Sequence, residues 1–123
     1  MNLCNIEYSL EKIKNIYETL NISKSIFIVN ESMYNSLYEK LVNEDYPVCL
    51  LKEFTKFKNH IYRILLIKDI EIPEIYKNNI SDHLKIDTIN LILFINTPEI
   101  TNLTTCKLFF NISNLNDINI FEL

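Results

Sequence analysis

The side chains able to do chemistry in this chain stand at a recurring kind of position. Asn30, Lys52, Glu53, Lys68, Asp69 and Asn96 each come at or just after the end of an apolar run. If those runs are parallel strands, these side chains gather at the strands' carboxyl ends, where open α/β sheets bind ligands near the reversal of strand order. An amide, an ammonium and a carboxylate at Asn30, Lys68 and Asp69 would suit a small polar ligand. The same residue types are also ordinary punctuation after strands, capping loops and helices, and that use accounts for them more simply.

Other chemistry is excluded by what is missing. The 123 residues contain no glycine. Phosphate-cradling loops of the G-x-x-x-x-G-K-[ST] and G-x-G-x-x-G kinds need glycine for close backbone approach and positive φ, so neither can form. A G-x-S-x-G nucleophile elbow is absent for the same reason. His60 and His83 are far apart, and neither has a Cys, Asp or Glu at ligand spacing on a helix, so both read as exposed loop histidines. The carboxylate pairs Glu44-Asp45 and Glu71/Glu74 fall in turns or first turns of helices, where solvent or the helix dipole explains them. Cys4, Cys49 and Cys106 form no C-x-x-C pair, and Cys49 and Cys106 lie in apolar runs as core thiols. No catalytic residue, metal site or cofactor is expected.

Charge and surface candidates bear on partners. The net charge is −4, and Arg63 is the sole arginine. A nucleic-acid binder usually presents a basic face with arginines for bidentate phosphate contacts, which disfavours RNA or DNA unless Lys52, Lys56, Lys58 and Lys68 share one face. Phe54, Phe57 and Tyr62 are the aromatic candidates for a surface that meets another protein or a larger complex. No apolar run approaches the ~20 residues that cross a bilayer, and the N-terminal residues are too polar for a signal peptide. With unpaired cysteines, these features give an expectation of a reducing, cytoplasmic location, the nucleus being the alternative. The 21 Ile and 17 Asn, with no Gly or Trp, point to a strongly AT-rich genome.

The elements that would position these residues follow from periodicity. Asn5–Tyr8 reads as a short edge strand, and Ser9–Leu20 as a helix capped by Ser9, with Leu10, Ile13, Ile16, Tyr17 and Leu20 on one face. Ile26–Val29 has the composition of a strand buried on both faces. Asn30 suits the cap of a following helix, whose apolar stripe is Met33, Tyr34, Leu37, Tyr38, Leu41 and Val42. Pro47 ends that segment, and Val48–Leu51 is the next strand. Lys52–His60 is one helical turn or a loop pinned by Phe54 and Phe57. Strands follow at Ile61–Ile67, Thr88–Ile95 and Cys106–Ile112. A helix over Pro73–Ile80 and a last one from Ser113, carrying Leu115, Ile118 and Phe121–Leu123, complete the order. Strands alternating with helices predict a single α/β domain over residues 1–123: a doubly wound, mainly parallel five-stranded sheet with helices on both faces, RecA-like or Rossmann-like.

In this order the pieces resemble the second RecA-like domain of superfamily 2 helicases, DEAD-box RNA helicases in particular. Lys24–Asn30 is similar to the family's "s-I-I-F-v-n" strand. Phe54–Lys58 followed by Arg63–Ile70 is similar to "F-x-x-g" running into "v-L-i-x-T-D-v". Ile89–Pro98 is similar to "v-n-l-V-I-n-y-d-l-P". The likeness covers most of Ile6–Pro98. After Asp69, Ile70-Glu71-Ile72-Pro73 replaces the family's "R-G-x-D", and nothing after Pro98 matches "H-R-x-G-R-x-G-R", which supplies the arginine finger. Of the family's functional residues only Asp69 carries over. The resemblance therefore implies a stripped domain that neither hydrolyses ATP nor clamps RNA by the family mechanism, retained as a protein-interaction or scaffold module. An RNA-associated accessory protein and a small enzyme with a cryptic site at the strand ends are the alternatives.

Overall fold

The computed structural model describes residues 5–71, 89–97 and 118–123. In chain order they form α1 (Ile6–Thr19), β1 (Lys24–Val29), α2 (Glu31–Asn43), β2 (Val48–Leu50), a 3-10 turn (Leu51–Glu53), α3 (Phe54–Lys58), β3 (Ile64–Lys68), a second 3-10 turn (Asp69–Glu71), β4 (Ile89–Ile95) and β5 (Asn119–Glu122). The strands make one five-stranded sheet in the order β2-β3-β1-β4-β5, with every pairing parallel.

Side-chain alternation along the strands builds two cores. Phe27, Val29, Val48, Ile64, Leu66, Leu91, Leu93 and Ile95 face one side, under Ile13 and Ile16 of α1 and Tyr34, Leu37 and Leu41 of α2. Ile26, Ile28, Cys49, Leu65, Ile67, Ile92 and Phe94 face the other, where Phe57 of α3 covers them. Both faces of β1 are buried along its whole length, as its apolar composition requires.

Strand β4 carries one irregularity that the core demands. Lys24 pairs with Ile89, but Ser25 pairs with Leu91, leaving Asn90 as an extra residue. By strict alternation Ile89 would share a face with Leu91; the bulge turns it over to join Ile92 and Phe94. Asn90 then secures the interruption with its own amide. Its Oδ1 accepts from Ser23 N (2.9 Å), its Nδ2 donates to Asn21 O (2.8 Å), and its carbonyl accepts from Asn119 Nδ2 (3.2 Å).

Helix ends are closed without glycine. After α2, Asp45 N donates to Val42 O and Tyr46 N to Leu41 O, both at 3.0 Å, with Asp45 at φ 63°. After α3, His60 N donates to Phe57 O (3.2 Å) and Ile61 N to Lys56 O (2.9 Å), with His60 at φ 65°. Both are Schellman closures, whose left-handed residue is usually glycine. Asp, Asn and His are the side chains that tolerate that conformation best, and Asn96 at φ 55° is the third instance.

Several sequence expectations are corrected. Asn5–Tyr8 is not an edge strand: Asn5 is the N-cap of α1, its Oδ1 accepting from Tyr8 N at 2.8 Å. Ser9 lies buried inside that helix and its hydroxyl donates to Asn5 O (2.9 Å), so the better-placed amide takes the capping role. The segment after Leu51 takes the helical option. Strand β3 starts at Ile64 rather than Ile61, because the Schellman closure holds Ile61 and Tyr62 against the end of α3. Residues 119–122 are strand rather than helix, since pairing with the open side of β4 outweighs the weak helical spacing of so short a segment. The expected elements Pro73–Ile80 and Cys106–Ile112, together with Cys4, His83, Glu74 and Cys106, lie outside the described residues.

Candidate functional site

The parallel register delivers the expected residues to one edge of the sheet. Val29 pairs with Lys68 on one side and Ile95 on the other, so Asn30 follows β1 between Asp69 and Asn96. Asn30 N donates to Ile95 O at 3.2 Å, tying it to β4. Lys52 and Glu53 lie farther out, past the end of edge strand β2.

Local bonding shows what each side chain is used for. Asp69 Oδ1 accepts from Ile70 N (2.8 Å), and Glu71 Oε1 accepts from Lys68 N (2.9 Å), so both carboxylates hold the turn after β3. Glu53 does the same after β2: Oε1 accepts from Leu50 N (3.5 Å), and Oε2 pairs with Lys56 (3.4 Å). Lys68 Nζ lies 4.8 Å from the centre of the Tyr34 ring, a cation–π contact with α2. Asn96 donates its amide to the Met33 sulfur. Asn30 occupies the N-cap position of α2, but its side chain makes no capping bond. Its Oδ1 is buried and has no hydrogen-bond partner among the described residues.

Burial sets the titration of this region. The Tyr34 phenol is pushed up to about 12 by burial, reinforced by Glu71 nearby. The Cys49 thiol is pushed up to about 12 by burial, then by Glu53, so it is a protonated core group rather than a nucleophile. Among the described residues, no group of three His, Cys, Asp or Glu side chains could hold a metal ion. No helix among them is long and apolar enough to cross a membrane.

The aromatic candidates differ in burial. Phe57 is fully buried and is a core residue, not part of a partner surface, because its ring seals the sheet face lined by Ile26, Ile28 and Leu65. Tyr62 is half-buried against the same cluster, and Phe54 is half-buried. The lysines are divided too: Lys68 leans on α2, whereas Lys56 lies 5.9 Å from the Tyr62 ring beyond α3.

The most consequential residue missed in the sequence is Lys24. It is fully buried at the start of β1, its Nζ donating to Phe57 O and, at 3.3 Å, to Lys58 O, and lying 4.8 Å from the Phe57 ring centre. Its place in alternation with Ile26 and Ile28 was the available signal. Tyr17 was equally unanticipated as a half-buried polar link, its hydroxyl sharing a 2.6 Å hydrogen bond with Ser25 Oγ.

The S. cerevisiae Dbp5 C-terminal domain, in its structure bound to Gle1 and IP6, superposes with a TM-score of 0.67 at 16% identity, covering 100% of this chain and 73% of that one. The shared fold is α/β and RecA-like, a five-stranded parallel sheet with helices. The helicase domain of Pyrococcus furiosus Hef gives a TM-score of 0.63 at 13% identity, over 96% of this chain and 24% of that one. No protein-family model and no curated protein matches the sequence. At these identities the likeness establishes architecture, which agrees with the resemblance carried by Lys24–Asn30 and Ile89–Pro98.

Proposed function

We propose that this chain is a non-catalytic protein-interaction or scaffold module built on a helicase-like domain, serving as a subunit or regulator of a larger assembly. The observation that carries the reading is the use made of Asp69. The one family residue that carries over by position spends its carboxylate on the neighbouring Ile70 N–H, and Glu71 and Glu53 likewise hold the turns beside them. A reacting carboxylate needs a proton or a metal within reach, and each of these instead has an oxygen engaged with a backbone N–H of its own turn. The Dbp5 domain was solved with a protein partner, Gle1, which is consistent with a partner-binding role for this kind of scaffold.

Two measurements test it. The purified chain, with ATP, magnesium and single-stranded RNA, is expected to release phosphate at the rate of the buffer blank; turnover lost in Asp69→Asn overturns the proposal. Affinity purification from native cells at low and high salt is expected to return one stoichiometric protein that survives the high-salt wash. RNA that washes off with salt would instead favour the accessory role.

Asn30 favours a second reading, a small polar ligand in the crevice. A buried acceptor left without a donor costs about 1–3 kcal/mol, which a ligand N–H or O–H would relieve. Asn30→Ser keeps a residue type suited to the N-cap position while withdrawing that buried amide acceptor. If the site is empty in use, the variant is as stable as the parent or more so, and complements it fully in cells. Loss of function in a stable variant would establish the ligand.

A further inference from the structure

We propose that the closing turn of α3, centred on Ile61 and rimmed by Lys56, Lys58, His60 and Arg63, is a docking site for an acidic peptide segment bearing an apolar anchor. The inference deepens the interaction-module reading and rests on it. Charge is the first ground. Residues 52–63 hold four of the chain's 12 Lys and Arg but one of its 16 Asp and Glu, a local +3 within a net −4. The one carboxylate, Glu53, is already paired with Lys56. Lys58, His60 and Arg63 are all exposed.

The second ground is an apolar side chain that the fold leaves unused. A Schellman closure normally packs its last residue against the helix it ends. After α2 this happens: Tyr46 and Leu41, the residues so related, lie in one apolar cluster. After α3 the corresponding pair is Ile61 and Lys56, and no such contact is available. Ile61 is 64% exposed, the highest exposure among the described large hydrophobic residues. The backbone presenting it is firmly set, by the His60 and Ile61 N–H bonds to α3 and by Lys24 beneath the same turn. A fixed aliphatic knob inside a basic rim suits a segment whose apolar residue is flanked by carboxylates.

A polynucleotide fits less well. Base stacking calls for an exposed ring, and the projecting side chain here is aliphatic, with Tyr62 half-buried. Arg63, the residue best shaped for phosphate, directs Nη1 toward Ser23 O at 3.5 Å.

The test is an amide NMR titration of the isotope-labelled full chain with a synthetic peptide of about twelve residues, Leu and Phe set among Asp and Glu. A peptide with Lys in place of the acids and a single-stranded RNA of about twelve nucleotides serve as comparisons. Expected are saturable shifts at residues 56–63 and affinity about tenfold weaker on raising salt from about 50 to 300 mM. Ile61→Glu should weaken binding at least about tenfold, and Ile61→Val only about twofold, with unchanged circular dichroism because the side chain is exposed. Shifts centred elsewhere, no saturation at about 2 mM peptide, or RNA outcompeting peptide at these amides would overturn the proposal. The wider reading fails separately: ATP turnover would end it while leaving the titration intact, whereas a silent titration with no turnover ends only the docking site.

Discussion

Lys24 Nζ donates to the carbonyls of Phe57 and Lys58, so a fully buried ammonium closes the end of a helix 33 residues downstream. The last carbonyls of a helix have no internal partner, and a cation is favoured there by the helix dipole. Burial, with Arg63 adding repulsion, lowers the pKa of Lys24 from its ordinary value. Lys24→Met keeps the apolar stem and removes the donor. Its expected cost is about 1–3 kcal/mol, seen as a lower urea midpoint, with faster hydrogen exchange at the His60 and Ile61 amides. A more stable variant would mean that desolvation of the ammonium outweighs its hydrogen bonds.

Alkaline pH should unfold the protein through groups held protonated in its core. Cys49 is raised from 9.0 to about 12, and Tyr17 and Tyr34 from 10.0 to about 12, burial being the main cause in each case. Above their unfolded values the folded state binds more protons than the unfolded one, so their stabilising contribution, complete below pH 9, is lost as pH rises. Each group adds a slope of up to about 1.4 kcal/mol per pH unit. Lys24, lowered, opposes this in the window below 10.5, because there the unfolded chain binds the extra proton. Urea midpoints should hold steady to about pH 8.5 and fall beyond pH 9. In Cys49→Val the decline should begin about one unit later.

The left-handed residues Asp45 and His60 offer a route to greater stability. Glycine adopts this conformation without the Cβ crowding that other residues carry, though it loses more entropy on folding. Asp45→Gly and His60→Gly are each expected to gain up to about 1 kcal/mol in urea denaturation. A loss at either position would show that the side chain makes a contact worth more than the relieved crowding.

Asn90→Leu should be costly although residue 90 stands between Ile89 and Leu91 in an otherwise apolar strand. It removes the two amide bonds that hold Ser23 and Asn21 to the bulge, at an expected cost of about 1–2 kcal/mol. It also invites β4 to drop the bulge, which would turn Ile89 to the opposite face. Thermal melting and exchange at the Ser23 amide would register both effects.

Much of the architecture was legible before any coordinates. Runs such as Ile26–Val29 and Leu91–Ile95 are too apolar to face water on either side, and the stripe Tyr34, Leu37, Leu41 has a helix period; together these dictate a covered parallel sheet. Glycine's absence removed nucleotide-cradling loops and left Asp, His and Asn to turn the chain. Short segments were the ones misjudged, Asn5–Tyr8 and residues 119–122, because four residues cannot distinguish a period of 2 from one of 3.6. What only the tertiary structure decided were matters of distance across the chain. It made Phe57 a core residue, buried Lys24 beneath a helix end, spent Asp69 and Glu71 on backbone amides, and left Ile61 in solvent. Periodicity is a property of neighbours along the chain, and it names the face a residue occupies. Whether a partner waits on that face depends on which elements are folded against it, and that is settled by sheet order and helix placement.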